Sequence, residues 1–265
     1  MPLLSIITVC KNPGFSIVET VDSVLSQSFK DYEYIIVDSS SSDGTAEYLK
    51  NLHREKKINK LIIERDKGIY QGINKGIGIA EGTYIGLIHA GDTYSKDVFK
   101  LLLPHFNSEE DIIYGSAYQI NQNNISLIDL PKNSFKNLQQ KNSIIHTSSF
   151  VKKNLYEQIG LYKEKFIIAG DFDFFKKALD KNFKFMQVPY AISNIKFGGI
   201  STKMSYIFIS ANECAQIIFG NNFYLKKFKY LFYYVFSSFG HLLKNKILND
   251  IKLLKKLLFY FFILN

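Results

Sequence analysis

The first half of the chain alternates short apolar runs with segments of helical periodicity. The predicted strands are Leu4–Cys10, Tyr34–Val37, Leu61–Ile63 and Tyr84–Ile88. The predicted helices are Ser16–Gln27, a segment that Asp43 caps and that ends at Leu52, and about Ile69–Ala80. This alternation is typical of βα units, so it predicts an α/β, Rossmann-like fold with a mostly parallel central sheet flanked by helices.

The pattern is less regular after Asp92. The elements expected there are a helix near Lys96–Phe106, strands near Ile112–Ala117 and Ile125–Ile128, a polar stretch over Pro131–Asn142, a helix over Gly170–Leu179 and a strand over Lys184–Val188. We therefore expect a second half of mixed structure that follows the βα half without a linker.

Polar residues stand directly after each predicted strand. They are Lys11 and Asn12, Asp38, Asp66, and the run from His89 to Asp92. Ligands of open parallel sheets bind at the carboxyl ends of the strands, so these residues are the first candidates for a site. Three of the four places supply a carboxylate, and converging carboxylates favour a cation such as Mg²⁺ or Mn²⁺ among them. Each aspartate alone could equally cap a helix or shape a turn.

Composition limits the class of protein. The chain has 265 residues, 46% hydrophobic and 22% charged, which is typical of a globular protein and excludes collagen, disorder and a multi-span membrane protein. Cys10 and Cys214 cannot form a disulfide framework, and we interpret both as buried thiols in a reducing compartment. The start at Met1 has no basic region or cleavage site of a secretory signal, so we expect a cytoplasmic protein.

The net charge of +9 is concentrated at one end. Residues 226–265 contain eight lysines, no arginine and one acid, Asp250, so this segment carries +7 and the first 225 residues only +2. The same segment holds 11 of the 40 Phe and Tyr residues. This distribution argues against nucleic acid as the partner and marks a boundary between the first 225 residues and a basic, aromatic tail.

Other phosphate-binding and hydrolytic motifs are missing from the sequence. It contains no Gly-Lys dipeptide and therefore no Walker A loop, and Gly76-Ile77-Gly78 lies inside a helical pattern instead of between a strand and a helix. The sequence also lacks H-E-x-x-H and G-x-S-x-G. The carboxylates after the strands thus remain the main chemical signal.

Several segments in order resemble the family-2 glycosyltransferases with the GT-A fold. The first group of matching segments is Ser5–Asn12, Ser23–Ser28, Tyr34–Ser39, Ser42–Thr45, Asp66–Tyr70, Asn74–Ile77, Ala80–Ile85 and Ala90–Asp92. The second group is His146, Ala169–Phe175 and 198–201. The resemblance covers roughly residues 3–202 and implies a catalytic domain over 1–205, with a nucleotide-sugar half over about 1–95 and an acceptor half over about 96–205. Residues 206–265 would then be a helical C-terminal extension.

The resemblance implies a nucleotide-sugar donor, most simply a UDP-sugar, bound by the first half. The positions implied for donor binding are Thr8, Lys11, Asn12, Asp38, Asp66, Gly91 and Asp92. Asp38 would accept a hydrogen bond from the uracil, and Asp92 would hold Mn²⁺ or Mg²⁺ on the diphosphate. The chain departs from the commoner D-x-D pattern, because His89 stands where many relatives have Asp or Asn, and Gly91 stands where many have Asp. One carboxylate therefore remains in that motif.

The resemblance also implies that Asp171 is the general base. A carboxylate there would take the proton of an acceptor hydroxyl as it attacks the anomeric carbon, and a single displacement would invert that carbon. The acceptor or diphosphate side would include His146, Asp173 and Tyr70. Helix capping is the alternative for the two aspartates, and a satisfied, half-buried histidine is the alternative for His146.

The sequence therefore predicts an inverting, metal-dependent transferase of one hexosyl or N-acetylhexosaminyl unit to a glycan or lipid-linked acceptor in surface polysaccharide synthesis. A degenerate family member that acts as a membrane scaffold or partner subunit is one alternative. A sugar nucleotidyltransferase is another, although Lys11–Gly14 is poor in the glycine and basic residues that such an enzyme carries after its first strand.

The tail predicts contact with a membrane surface. Between Leu242 and Leu258 apolar residues and lysines fall on opposite arcs of an imperfect helix, and the apolar runs 230–236 and 257–264 are too short to cross a bilayer. Lysine together with Phe and Tyr suits an interfacial helix on anionic lipid at the inner face of the cell membrane. Packing on the catalytic domain, or a contact within a homo-oligomer, is the alternative.

Overall fold

A computed structural model describes residues 1–106, 108–121, 124–198 and 204–220. Strands and helices alternate through the first half: β1 (Leu4–Cys10), α1 (Ser16–Leu25), β2 (Tyr32–Asp38), α2 (Thr45–Arg54), β3 (Lys60–Ile63), α3 (Ile69–Ile79) and β4 (Tyr84–His89). The second half contains β5 (Thr93–Tyr94), α4 (Val98–Phe106), β6 (Ile112–Asn121), β7 (Asn124–Ile128), β8 (Ser149–Lys152), α5 (Lys153–Ile159), α6 (Gly170–Asp180), β9 (Phe185–Lys196) and α7 (Met204–Phe219). Two 3-10 helices, Ser134–Gln139 and His146–Ser148, precede β8.

The strands of the described residues form one sheet in the order β3-β2-β1-β4-β8-β6-β9-β5, with β7 paired to β6. Pairing is parallel from β3 to β4 and between β6 and β9. The strand β8 joins the two parts by antiparallel pairing with β4 and β6. The predicted α/β fold with a central sheet and flanking helices is confirmed, and the parallel half matches the predicted elements closely.

Two apolar cores cover the two faces of the sheet, because side chains alternate along each strand. Ile7, Val37 and Leu87 point to the core that contains α3 and α6. Ile6 and Tyr34 point to the core that contains α1, α2 and α4. Successive residues of one strand therefore pack against different sets of helices.

The strand predicted over Lys184–Val188 is longer in the structure. β9 continues to Lys196, and its register with β6 shifts between Tyr114 and Ser116. Pro189 lies in the part of β9 opposite this shift, where a residue without an N–H can be accommodated. Because proline is uncommon inside strands, the sequence pattern predicts an end at Val188 although the strand continues.

The core extends through α7. Ala211 and Ala215 are fully buried, and Cys214 belongs to the same apolar core as α3 and α6. The packed unit therefore runs past the predicted boundary at residue 205, and the wider division into domains stays a prediction. Both cysteines are buried free thiols, as expected, and burial raises the pKa of Cys214 to about 12.

The predicted tail helix over 242–258 lies outside the described residues. In the part of the chain that the structure describes, no helix combines the length and the apolar character needed to cross a bilayer.

Candidate active site

Thr8 and Asp38 lie near the carboxyl ends of β1 and β2, where protein atoms cover both side chains. Both residues are fully buried. The hydroxyl of Thr8 lies 2.9 Å from the hydroxyl of Tyr34, so it faces the core instead of an open surface. The carboxylate of Asp38 accepts hydrogen bonds from the Ser41 backbone N–H at 2.9 Å, from the Ser41 hydroxyl, and from the Cys10 thiol at 3.4 Å. The side chain of Asp38 is therefore inaccessible to a ligand in this conformation.

Side-chain hydrogen bonds fasten the loop after β1 to the loop after β2. The backbone N–H of Asn12 donates to Ser41 Oγ at 2.7 Å, and the Asn12 side-chain oxygen accepts the Ser42 N–H at 2.8 Å. Asp43 accepts the N–H of Gly14 at 2.7 Å and that of Thr45 at 3.1 Å. The second bond occupies the first N–H of α2, but the N-cap residue is Gly44 and not the predicted Asp43. Lys11 is exposed at this edge.

Asp66 is neutralised by a lysine of this chain. Its Oδ1 lies 2.6 Å from Nζ of Lys75, and its backbone N–H donates to Ser39 Oγ at 2.9 Å. Asp66 thus has a cationic partner in Lys75, whereas the hydrogen-bond partners of Asp38 are neutral groups.

The turn that carries Asp92 is fixed to α1. The hydroxyl of Thr20 accepts the N–H of Gly91 at 2.9 Å and donates to the carbonyl oxygen of Asp92 at 2.8 Å. Gly91 has a φ of +102°, a left-handed conformation that favours glycine over an acidic residue. The departure from the D-x-D pattern at Gly91 therefore has a structural reason.

Asp92 is the least compensated carboxylate at this edge. Its Oδ1 accepts the backbone N–H of Lys196 at 2.9 Å. Burial raises the pKa of Asp92 to about 6, and this hydrogen bond opposes the shift. A buried carboxylate with one backbone donor gains from a further positive partner.

The N-terminus of α6 presents Asp171. Asn142 donates from Nδ2 to Asp171 Oδ2 at 3.0 Å, and Asp171 Oδ1 lies 3.4 Å from the hydroxyl of Tyr70. The carboxyl group is enclosed by protein atoms although part of the residue stays accessible, and this burial raises the pKa of Asp171. A carboxylate with a raised pKa is a better proton acceptor than an ordinary aspartate.

Tyr70 connects α3 to the start of α6. Its hydroxyl donates to the carbonyl oxygen of Ile168 at 2.6 Å and accepts the N–H groups of Gly170 at 2.8 Å and Asp171 at 3.3 Å. A Cβ at Gly170 would lie 2.6 Å from the Tyr70 ring, so glycine permits this approach. Tyr70 is therefore brought together with Asp171.

Two histidines lie between the strand edge and Asp171. The ring centroids of His89 and His146 are 5.6 Å apart, and His146 Nε2 lies 3.1 Å from the hydroxyl of Tyr162. Nδ1 of His89 is buried and has no hydrogen-bond partner within the described ranges. The charge of Asp171 acts on His89, so β4 and α6 bring these side chains into one region.

Asp173 points to a different environment. It is nearly fully buried and forms ion pairs with Lys163 at 2.9 Å and Lys177 at 2.8 Å. Two residues along a helix correspond to a turn of about 200°, which separates its direction from that of Asp171. Its acceptor-side role stays a prediction, and the ion pairs give it a structural role.

The residues present allow a metal site with one protein ligand. Among residues 1–106, 108–121, 124–198 and 204–220, no three His, Cys, Asp or Glu side chains lie close enough to hold an ion together. Asp92 keeps one carboxylate oxygen beyond the Lys196 hydrogen bond. Mg²⁺ commonly binds one or two carboxylates plus the phosphates of a substrate. Asp92 could serve as the carboxylate of a site that has only one.

Two polar residues that the sequence analysis did not identify, Asn142 and Glu213, make contacts at or next to the site. Asn142 lies at the end of the polar stretch that precedes His146, where nothing distinguishes it from its neighbours. Glu213 accepts three backbone N–H groups just before α6. It is the one charged residue in the apolar segment from Met204 to Phe219, and that isolation is a signal that could have identified it.

Comparisons with known proteins agree with this geometry. Residues 5–183 match the model of the family described as "Glycosyl transferase family 2". The PGL/p-HBAD biosynthesis glycosyltransferase of Mycobacterium bovis is 28% identical over 210 residues, which cover 76% of this chain and 79% of the relative.

Solved structures share the fold at low sequence identity. TarS 1-349 of S. aureus in complex with UDP-GlcNAc superposes with a TM-score of 0.63 at 16% identity, covering 88% of this chain and 71% of that chain. The mannosyltransferase PcManGT of Pyrobaculum calidifontis, in complex with GDP-Man and Mn²⁺, gives 0.63 at 14% identity, covering 96% and 79%. In a longer TarS structure this chain spans 42% of the length. The family match extends over well more than half of the sequence, and the chain accordingly belongs to glycosyl transferase family 2.

Proposed function

We propose that this glycosyltransferase transfers one sugar from a nucleotide-sugar, a UDP-sugar in the simplest case, to a glycan or lipid-linked acceptor with inversion. The observation that carries the proposal is the placement of Asp171. Its carboxylate is held by Asn142 beside Tyr70 and lies in the same region as His89 at the end of β4. A carboxylate with a raised pKa thus lies near the strand edge at which α/β sheets bind nucleotides, which supports the proposed role as base.

The donor is assigned to the edge formed by β1, β2 and β4. Neighbours of the same fold are described in complexes with UDP-GlcNAc and with GDP-Man, which supports a nucleotide-sugar in this class. Asp38 would bind the base once Ser41 moves aside, and Lys11, Asn12 and Asp66 border the same edge. Gly91 and Asp92 would meet the diphosphate. Thr8 would support the base pocket from the core.

Asp171 performs the proton transfer in this proposal. The acceptor oxygen forms a bond to the anomeric carbon, the bond from that carbon to the phosphate oxygen breaks, and the nucleoside diphosphate leaves with the electron pair. Asp171 takes the hydroxyl proton as the bond forms. Since no enzyme nucleophile intervenes, one displacement inverts the anomeric carbon. His146 and Tyr70 shape the surroundings of this carboxylate.

Asp92 would hold a Mn²⁺ or Mg²⁺ ion together with the donor diphosphate. When bound, the ion would stabilise the negative charge that develops on the leaving group. The partly buried carboxylate of Asp92, with one backbone hydrogen-bond donor and a raised pKa, supports this assignment. Because this chain offers a single carboxylate, the diphosphate must supply most of the remaining ligands.

The setting proposed is the synthesis of a cell-surface glycan. The mycobacterial relative is named a PGL/p-HBAD biosynthesis glycosyltransferase, which supports a role in a biosynthetic pathway. A panel of nucleotide-sugars, assayed for release of the nucleoside diphosphate with and without Mn²⁺, tests the donor assignment directly. Faster release from one UDP-sugar than from the others is expected. No release from any donor would contradict the proposal and favour a scaffold role.

We further propose that the basic tail binds the anionic inner face of the cell membrane. The support is the sequence alone: eight lysines and 11 aromatic residues in 226–265. The full chain should float with vesicles that contain anionic lipid and should be released by high salt. Replacing Lys252, Lys255 and Lys256 with glutamine should weaken flotation, whereas replacing Lys50, Lys56 and Lys57 in the catalytic domain should not. Equal flotation of both triple variants would reject the membrane proposal.

A further inference from the structure

Glu213 of α7 binds the segment that leads into α6. Its Oε1 accepts the backbone N–H of Ile167 at 2.7 Å, and its Oε2 accepts those of Ile168 at 2.9 Å and Ala169 at 2.8 Å. The residue is only 7% exposed. A buried carboxylate with three such donors is well satisfied, and charge-assisted bonds of this kind are stronger than neutral ones.

These bonds complete the start of the helix that carries Asp171. The first N–H groups of any α-helix have no partner within the helix. Ala169 supplies no side-chain cap to α6. Instead Glu213 takes the three N–H groups before the helix, and the Tyr70 hydroxyl takes the next two, from Gly170 and Asp171. Five successive backbone N–H groups are thus held by two side chains from distant elements.

The arrangement needs a carboxylate. Both oxygens of Glu213 accept hydrogen bonds, and one of them accepts two. A glutamine has one acceptor oxygen, and its NH₂ group would face a backbone N–H. Unpaired buried donors are unfavourable, so the segment would have to shift, and Asp171 would shift with it.

We propose that Glu213 is a positioning residue that fixes the direction of the Asp171 carboxylate. This inference rests on the proposed role of Asp171 as the base. Glu213 lies outside residues 5–183, so the family match does not assign it. In this proposal α7 supports the catalytic site by holding the segment that precedes Asp171.

Glu213→Gln in the full chain tests the proposal, with Glu157→Gln on the exposed face of α5 as the matched control. We expect kcat for sugar transfer to fall about tenfold or more while the Kd for UDP stays within about twofold. Amide hydrogen exchange in residues 163–174 should accelerate relative to the control. In the Asp171→Asn background, Glu213→Gln should cause no further loss of turnover, because the two residues act as one unit.

The outcomes separate the two proposals. Unchanged exchange at 163–174, or losses that add fully in the double variant, would overturn the positioning role. Full turnover of Asp171→Asn alone would overturn the proposed function. In that case the exchange measurement still decides whether Glu213 holds the segment. Equal acceleration of exchange over the whole chain would indicate general destabilisation and would also overturn the inference.

Discussion

The imidazole rings of His89 and His146 lie next to each other at the end of β4, with centroids 5.6 Å apart and ring planes tilted by 58°. Burial lowers the pKa of His89 to about 3, with a further contribution from His146, and burial lowers the pKa of His146 to about 4. Both rings are therefore neutral at physiological pH. The site meets its ligands without imidazolium charge, and the orphaned Nδ1 of His89 is a candidate hydrogen-bonding group.

We expect neither ring to titrate between pH 5 and 8. Long-range ¹⁵N–¹H spectra should show constant shifts for both, with assignment by the variants His89→Gln and His146→Gln. The unfolded chain takes up protons near pH 6.5 whereas these folded rings do not, so their contribution to the free energy of unfolding decreases as pH falls below about 6.5, down to about pH 4 for His146 and about pH 3 for His89. A titration midpoint near 6.5 for either ring would contradict the burial of this pair.

Substitution of Gly170 should be costly. In Gly170→Ala the added Cβ would lie 2.6 Å from the Tyr70 ring, which is itself buried. Such overpacking costs roughly 1–3 kcal/mol, and the Asp171 segment should be displaced with a loss of turnover. Gly78→Ala is the control, because nothing lies within 4 Å of a Cβ there and alanine favours a helix by up to about 1 kcal/mol. Denaturant unfolding measures both, and equal stability of the two variants would contradict the close approach.

Asp92 and Asp38 should affect nucleotide binding in different ways. Asp92→Asn should remove the part of UDP affinity that depends on Mn²⁺, and a chelator should have the same effect on the unchanged protein. Asp38→Asn should weaken UDP binding with and without Mn²⁺, because its proposed contact is to the base. The exposed Asp31→Asn is the control. Calorimetry that finds equal UDP affinity with and without the ion would place the protein among metal-independent enzymes.

The pH dependence of Mn²⁺-dependent UDP binding should follow the protonation of the Asp92 carboxyl group. Because burial raises the pKa of Asp92 to about 6, the group loses its charge as pH falls through 6. Mn²⁺-dependent UDP binding should therefore be weaker at pH 5 than at pH 7, and the difference should be smaller in Asp92→Asn. An identical pH dependence in both proteins would show that another group controls the ion.

The sequence predicted the parallel half well because β1, β2 and β4 are buried along most of their length and form nearly continuous apolar runs. β1 from Leu4 to Cys10 has the predicted bounds. β8 was missed because its four residues begin with Ser149 and end with Lys152, so they give no apolar run. β9 was cut short at Val188 because a proline follows.

The positions of candidate site residues could be predicted from the sequence where they follow from a nearby strand. They could not be predicted where they depend on contacts between residues far apart in the chain. Asp38, Asp66 and Asp92 stand at or just after strands, so their edge follows from the strand pattern alone. Tyr70 was placed near the acceptor side from the family resemblance, and it contacts the residues around Asp171. The bond of Glu213 to Ile167 joins residues 46 positions apart, and no periodicity in the sequence encodes such a pair.

The turnover of Asp171→Asn tests the central claim most directly. The purified full chain, with the UDP-sugar selected by the donor panel, should transfer sugar to acceptor at a rate that this variant reduces by about 10² or more, because the asparagine cannot take the acceptor proton. UDP affinity by calorimetry should stay nearly unchanged. Burial raises the pKa of Asp171, so the acid limb of the rate profile should also lie above that of an ordinary aspartate. Near-normal turnover of Asp171→Asn would contradict the assignment of the base and the mechanism built on it.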